Sequence, residues 1–220
     1  MQKQIAGYWI NLTRKRIKNV YLRISKTGEI SVNTPNGYPD GEIERLLIAK
    51  RAWIDKNIAK IGNKREIVIA ENAVINVFDR QFTLVRFDKI KGCDGYACVD
   101  GDRIVAYCSK SVFVTVIEKL LSQILRENAV KCLDYYKALS GLNYGEVVIK
   151  KLRSKWGYCR ISDKKIVFSL NLIFKPCDCL EYVAMHELAH TAISAHDKRF
   201  YALVSKYKPD YKNSIKLLKS

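Results

Sequence analysis

Apolar and polar residues alternate at period two over residues 5–12, 19–25 and 29–34, which predicts three strands near the start of the chain. Lys26-Thr27-Gly28 has the chemistry of a hairpin turn between the second and third. Pro35-Asn36-Gly37 and Pro39-Asp40-Gly41 then end the alternation. From about 40 to 61 the period becomes helical, with Ile43, Leu46, Leu47, Ala49, Trp53, Ile54 and Ile58 on one face. Strand patterns return at 66–70, 74–78, 81–87 and 103–107, with a turn signal at Asp100-Gly101. A long helical pattern covers 111–139 and stops at Gly141. Strands are predicted again at 146–152 and 165–171.

Beyond Pro176 the pattern is helical almost to the end. Asp178 as N-cap and Glu181 three residues later match a capping box, predicting a helix from 179 to about 193. Another starts near Asp197 and stops before Pro209, and the last ten residues form an amphipathic helix. This order predicts an α+β protein. Its expected division is a β-rich domain with one helix over 1–109 and a helix-rich domain over 110–220.

Composition narrows the setting. No apolar run approaches the roughly 18 residues of a membrane span, and the first residues lack the shape of a signal peptide. A cytoplasmic protein without membrane attachment is expected. The seven Cys contain no Cys-x-x-Cys pair, which predicts reduced thiols; Cys177-x-Cys179, just before a helix, reads as packing. Lys and Arg outnumber Asp and Glu 39 to 22, a net charge of +17, thickest at 14–18, 150–165 and 206–219. Such a surface favours polyanions, nucleic acid among them, or serves solubility alone.

The chemistry sits in His186-Glu187-Leu188-Ala189-His190. Residues four apart share a helix face, so the two imidazoles can converge on one zinc ion, with Glu187 placed for a metal-bound water. A catalytic zinc takes a third protein ligand and keeps one position open. His196 is the remaining histidine of three in the chain, all within eleven residues. No Glu follows Glu187, which excludes a downstream glutamate as third ligand. The spacing to His196 equals that of metzincins, but Ile193 replaces their glycine and no Met follows the site, which excludes that class.

Further stretches carry a family resemblance. They are Arg14-Lys15-Arg16-Ile17-Lys18-Asn19-Val20-Tyr21-Leu22-Arg23-Ile24, Lys50-Arg51-Ala52-Trp53-Ile54, Lys155-Trp156-Gly157-Tyr158-Cys159, Leu170-Asn171, Arg199-Phe200 and Pro209-Asp210-Tyr211. Together with the histidine motif they make the chain similar to the YgjP-like metallopeptidases, neighbours of the SprT-like proteases, over nearly its whole length. The resemblance implies a zincin-like domain over 110–220 and a zinc-dependent hydrolase acting on peptides or proteins. The strand ending at Asn171 would, by analogy with zincins, pair with an extended substrate.

In that reading His186, His190 and His196 hold Zn2+ and Glu187 is the general base. Arg153, Tyr158 and Asn171 are candidates for substrate binding, and Arg153, Lys155, Tyr158 and Tyr201 for the oxyanion donor. The alternatives are a zinc-dependent hydrolase of nucleotides or other phosphorylated substrates, a nucleic-acid-associated protease, and a structural zinc site.

Overall fold

A computed structural model describes residues 2–25, 27–62, 67–88 and 95–219. Lys26, Glu66 and Cys93 therefore lie outside the described residues. The chain divides into two compact units, Met1–Ile67 and Val68–Ser220.

The first unit is a four-stranded sheet with two helices. Its strands are β1 (Gln2–Ile5), β2 (Tyr8–Lys15), β3 (Tyr21–Ile24) and β4 (Ile30–Pro35), in the order β1-β2-β4-β3. The strand expected over 5–12 is thus two strands. Ala6 and Gly7 both take positive φ (52° and 85°), the two-residue turn that matches the twist of a tight hairpin. The single helix expected at 40–61 is likewise two, α1 (Asp40–Ala49) and α2 (Arg51–Gly62), parted where Lys50 leaves helical geometry. Ile10, Leu12, Ile30 and Val32 of the sheet bury against Ile43, Leu47 and Ile54 of the helices.

The second unit begins with the sheet β5 (Val74–Val77), β6 (Arg80–Phe87), β7 (Tyr96–Asp100) and β8 (Arg103–Tyr107), in the order β5-β6-β8-β7. Residues 67–70 form no strand, and β7 is one the pattern missed. Helix α3 (Phe113–Ser140) buries Phe113, Ile117, Leu121, Leu125, Ala129 and Leu133 as a single stripe. It ends at Gly141, whose φ of 74° provides the left-handed cap. Strands β9 (Val147–Lys150), β10 (Gly157–Arg160) and β11 (Lys165–Ser169) form a third sheet in the order β10-β11-β9. After a 3-10 turn over Leu170–Phe174 come α4 (Cys177–Ala189), α5 (Lys198–Tyr207) and α6 (Tyr211–Lys219).

The boundary expected near 109 differs from this division, and the core explains why. One apolar cluster runs from Ile75, Leu84 and Ile104 through the α3 stripe to Leu180, Leu188 and Phe200. The β5–β8 sheet and α3 bury each other, so the strands before residue 109 belong with the helices after it. No helix among the described residues is long and apolar enough to cross a membrane. The six described cysteines are free thiols, and Cys179 is fully buried.

The capping box expected at the start of α4 is not used as one. The helix starts two residues earlier, with Pro176 at the N-cap, and no side chain caps it. Asp178 and Glu181 turn instead to Lys208, 7% exposed, whose Nζ donates to Asp178 (2.5 Å), Glu181 (2.9 Å) and Asp210 (3.4 Å). Ser214 on α6 also donates to Asp178. One ammonium thereby ties the start of α4 to the end of α5 and to the loop before α6.

Burial alone would raise the Asp178 pKa, but the hydrogen bonds from Lys208 and Ser214 outweigh it and hold the carboxyl below its usual value. Burial would also lower Lys208, and its carboxylate partners outweigh that and raise it. The stabilisation is therefore full between the ordinary carboxylate and lysine ranges. It is lost as pH falls through the Asp178 value or rises through that of Lys208. We expect Lys208→Met to lower unfolding free energy by about 2 kcal/mol at neutral pH, below the 3–5 kcal/mol of a fully buried pair because the carboxylates are partly exposed. Urea denaturation at pH 7 and pH 3 measures this, and the gap between wild type and variant should narrow at pH 3. An unchanged midpoint at pH 7 would refute it.

Candidate metal centre

Helix α4 is buried on almost every side; His186 and Glu187 lie in its last turn and His190 is its C-cap. The one-turn spacing sets the His186 and His190 ring centroids 4.9 Å apart and their Nε2 atoms 3.2 Å apart. The helix ends at Ala189, four residues before the expected end. A tight turn follows, closed by Thr191 N–H to the Leu188 carbonyl and by Ala192 and Ile193 N–H to Ala189. No residue from 190 to 196 takes a positive φ, so the turn does without the glycine that metzincins place at position 193. It returns His196 to the same point, with its Nε2 3.1 Å from that of His190 and 3.0 Å from that of His186.

The other ring nitrogens fix the orientation of two of the imidazoles. His190 Nδ1 lies 3.0 Å from the Ile193 carbonyl, which only accepts, so the proton is on Nδ1 and the Nε2 lone pair is free. His186 Nδ1 lies 3.2 Å from the Tyr182 hydroxyl. Burial, reinforced by the other two histidines, lowers the His186 pKa to about 3. His190 is also lowered, mainly by burial. Both rings are neutral at ordinary pH, as metal ligation demands.

Nitrogens bound tetrahedrally to zinc at about 2.0–2.1 Å stand about 3.3–3.4 Å apart. Three Nε2 atoms converging within 3.2 Å are close to that donor set, and they form the one cluster of possible metal ligands among the described residues.

A floor supports the three rings. Asp197 caps α5 by accepting from the N–H groups of Arg199 (2.9 Å) and Phe200 (3.1 Å), so that helix begins directly after His196. Its first turn places Phe200, 0% exposed, against all three imidazoles, with centroids 4.8 Å from His186, 4.6 Å from His190 and 4.8 Å from His196.

Glu187 is 5% exposed and faces β10. Burial pushes its pKa up to about 8, against a pull downward from the Cys159 backbone N–H and from Lys155. Gly157 is what lets the carboxylate approach the strand. A Cβ there would stand 3.1 Å from Glu187 Oε1, 3.1 Å from Val183 Cγ1 and 3.0 Å from the Val167 carbonyl. A recess of about 280 Å³ opens beside His186 and Glu187, with Trp156, Val183, Ile215 and Leu218 in its walls.

The structure brings together four of the expected residues: His186, Glu187, His190 and His196. Tyr201 stands near them, its ring 6.2 Å from that of His196. Lys155 is exposed and acts electrostatically on Glu187. Tyr158 is not brought in. Gly157 faces α4, and successive strand residues point to opposite sides, so Tyr158 looks away from Glu187. Arg153 and Asn171 are exposed, Asn171 on the 3-10 turn beyond β11.

The strand expected to pair with substrate is β11, but β10 and β9 occupy both of its edges. The sheet's outer strands are β10 and β9, and β10 is the one that packs beside α4. Sequence reasoning also overlooked Tyr182, although it precedes His186 by four residues and so shares its helix face. The role of Phe200, in the first turn of α5, was equally hidden.

Comparison with known families gives the class to which this helix, return turn and adjoining three-stranded sheet belong, that of the metallopeptidases. The model of the YgjP-like metallopeptidase domain matches residues 18–220, and the chain belongs to the YgjP-like family. No curated protein matches the chain. Among solved structures, the metallopeptidase zymogen abylysin of Pyrococcus abyssi is similar at 22% identity, over 39% of this chain and 87% of that one, with a TM-score of 0.37.

Proposed function

We propose that the chain is a zinc-dependent peptidase with His186, His190 and His196 as metal ligands and Glu187 as general base. The observation that carries this reading is the convergence of three Nε2 atoms beside a buried, interleaved carboxylate. A divalent ion held there supplies Lewis acidity to a water and to the scissile carbonyl. Glu187 takes the proton of the attacking water on a carboxylate oxygen and passes it to the leaving amine. Glu187 must be ionised to take that proton, and a cation held by the three histidines would offset the effect of burial on it.

Tyr182 and the Ile193 carbonyl orient two of the ligand rings through their Nδ1 atoms. Tyr201 and Lys155 are the candidates left nearest the centre for stabilising an oxyanion. An extended peptide would add a strand to the outer edge of β10, beside α4. The apolar recess would then take a substrate side chain.

Metal analysis tests the ligand set. The wild type should hold one zinc per chain and His196→Ala should lose most of it, because a two-histidine site binds far more weakly. Unchanged zinc in the variant would remove His196 from the centre.

A further inference from the structure

The helices of the first unit cover one face of its sheet, and the other face lies open. The register fixes which side chains stand there. Trp9, Asn11, Thr13 and Lys15 point out from β2, beside Gln2 and Gln4 of β1. Across β4, Ser31 and Asn33 pair with Arg23 and Tyr21 of β3. Trp9 is 66% and Tyr21 44% exposed, with the Arg23 guanidinium 6.0 Å from the Tyr21 ring.

Charge is segregated within this unit. Asp40, Glu42 and Glu44 lie on α1 and Asp55 on α2, the opposite side of the sheet. Asp40 is held by Lys3 and Arg14, and Asp55 accepts from Tyr8. Among the described residues no acid stands on the open face, and Glu29 at its rim, just before β4, is the nearest in sequence. Lys15 and Arg23 stand on the face, and exposed Arg16 and Lys18 follow β2 at the same end as Tyr21.

We propose that this open face binds single-stranded nucleic acid. Two aromatic rings offer stacking surfaces for bases, and four cations, Lys15 and Arg23 on the face and Arg16 and Lys18 beside it, offer charge to phosphates. Strand geometry separates the Cα atoms of Trp9 and Tyr21 by about 16 Å, several times the stacked rise of about 3.4 Å per nucleotide. Asn11, Asn33 and Gln4 between them offer amide donors and acceptors to base edges. The amides and aromatics are what distinguish this face from a merely basic one: an acidic peptide would use the cations and leave the rings idle. The proposal is independent of the peptidase reading, since no residue of the metal centre takes part.

Fluorescence anisotropy of labelled twelve-nucleotide oligo(dT) and oligo(U), titrated with the full-length protein, tests it. Both strands should bind at 50 mM salt, with a logarithmic salt slope of about −3 for four phosphate contacts. Trp9→Ala and Tyr21→Ala should each weaken binding about tenfold, and Trp9→Phe should restore most of the loss. Lys15→Gln should flatten the slope by about 0.7. Unchanged zinc content and melting temperature in the Trp9 and Tyr21 variants would show that the fold is intact. Absence of binding at 50 mM salt, equal affinity for a duplex or for polyglutamate of matched length, or indifference to Trp9→Ala would each overturn the proposal.

Discussion

Glu187→Gln is expected to abolish peptide hydrolysis while the protein keeps its zinc. The substitution preserves the shape of a side chain that is almost fully buried against β10, so neither the packing on Gly157 nor the histidine cluster should move. Burial already disfavours the carboxylate charge, and a neutral amide is no harder to accommodate. What disappears is the capacity to accept a proton. A positioned general base contributes roughly 10²–10⁴ in rate, and kcat should fall by about that factor at every pH. Initial rates on a fluorogenic peptide, read beside metal content, measure this. Retained activity with zinc in place would remove Glu187 from the proposed mechanism, while loss of zinc would show that the residue supports the ligands.

Phe200→Ala is expected to have the largest effect on stability. The ring is fully buried and forms the floor beneath three imidazoles. Truncating a buried Phe costs about 3–5 kcal/mol through lost burial and the cavity left behind. A cavity here would also free the ligand rings to tilt, so zinc affinity should fall with stability, by about 10–100-fold as for other supporting groups of metal ligands. Urea denaturation of the metal-free protein isolates the first effect, and competition with a chelator reads the second. Phe200→Leu, which leaves a smaller cavity, should recover most of the stability. A metal-free Phe200→Ala variant within 1 kcal/mol of wild type would contradict the packing described.

The residues of this centre were legible because their signals are local. His186 and His190 share a face by helical arithmetic, and His196 could be associated with them because the chain has no other histidine. The outer strand beside the centre was not legible. Period-two patterns reveal strands, but nothing in residues 165–171 says that β11 lies between two others, or that β10 exists at all. Asp178 and Glu181 have capping-box spacing, yet a buried ammonium 27 to 30 residues away competes for both carboxylates and wins. The division at Ile67 and Val68 differs from the boundary expected near 109 for a related reason: strands before residue 109 and helices after it meet in one core. Tyr158 was named for its chemistry, and the pleat of β10 turned it away.

The short stretch from His196 to Phe200 holds a third ring nitrogen, a helix cap and the floor beneath the site. Their relative directions are set by the extended Asp197, which caps α5, and by the first helical turn from Lys198, in which each residue advances by about 100°. One residue more between them would swing Phe200 off the imidazoles even if the cap re-formed, and one fewer would swing it the other way. The five positions therefore form an indivisible cassette. Length changes before α4 or beyond α5 leave it undisturbed, so its spacing is a more stringent mark of this site than the identity of most residues around it.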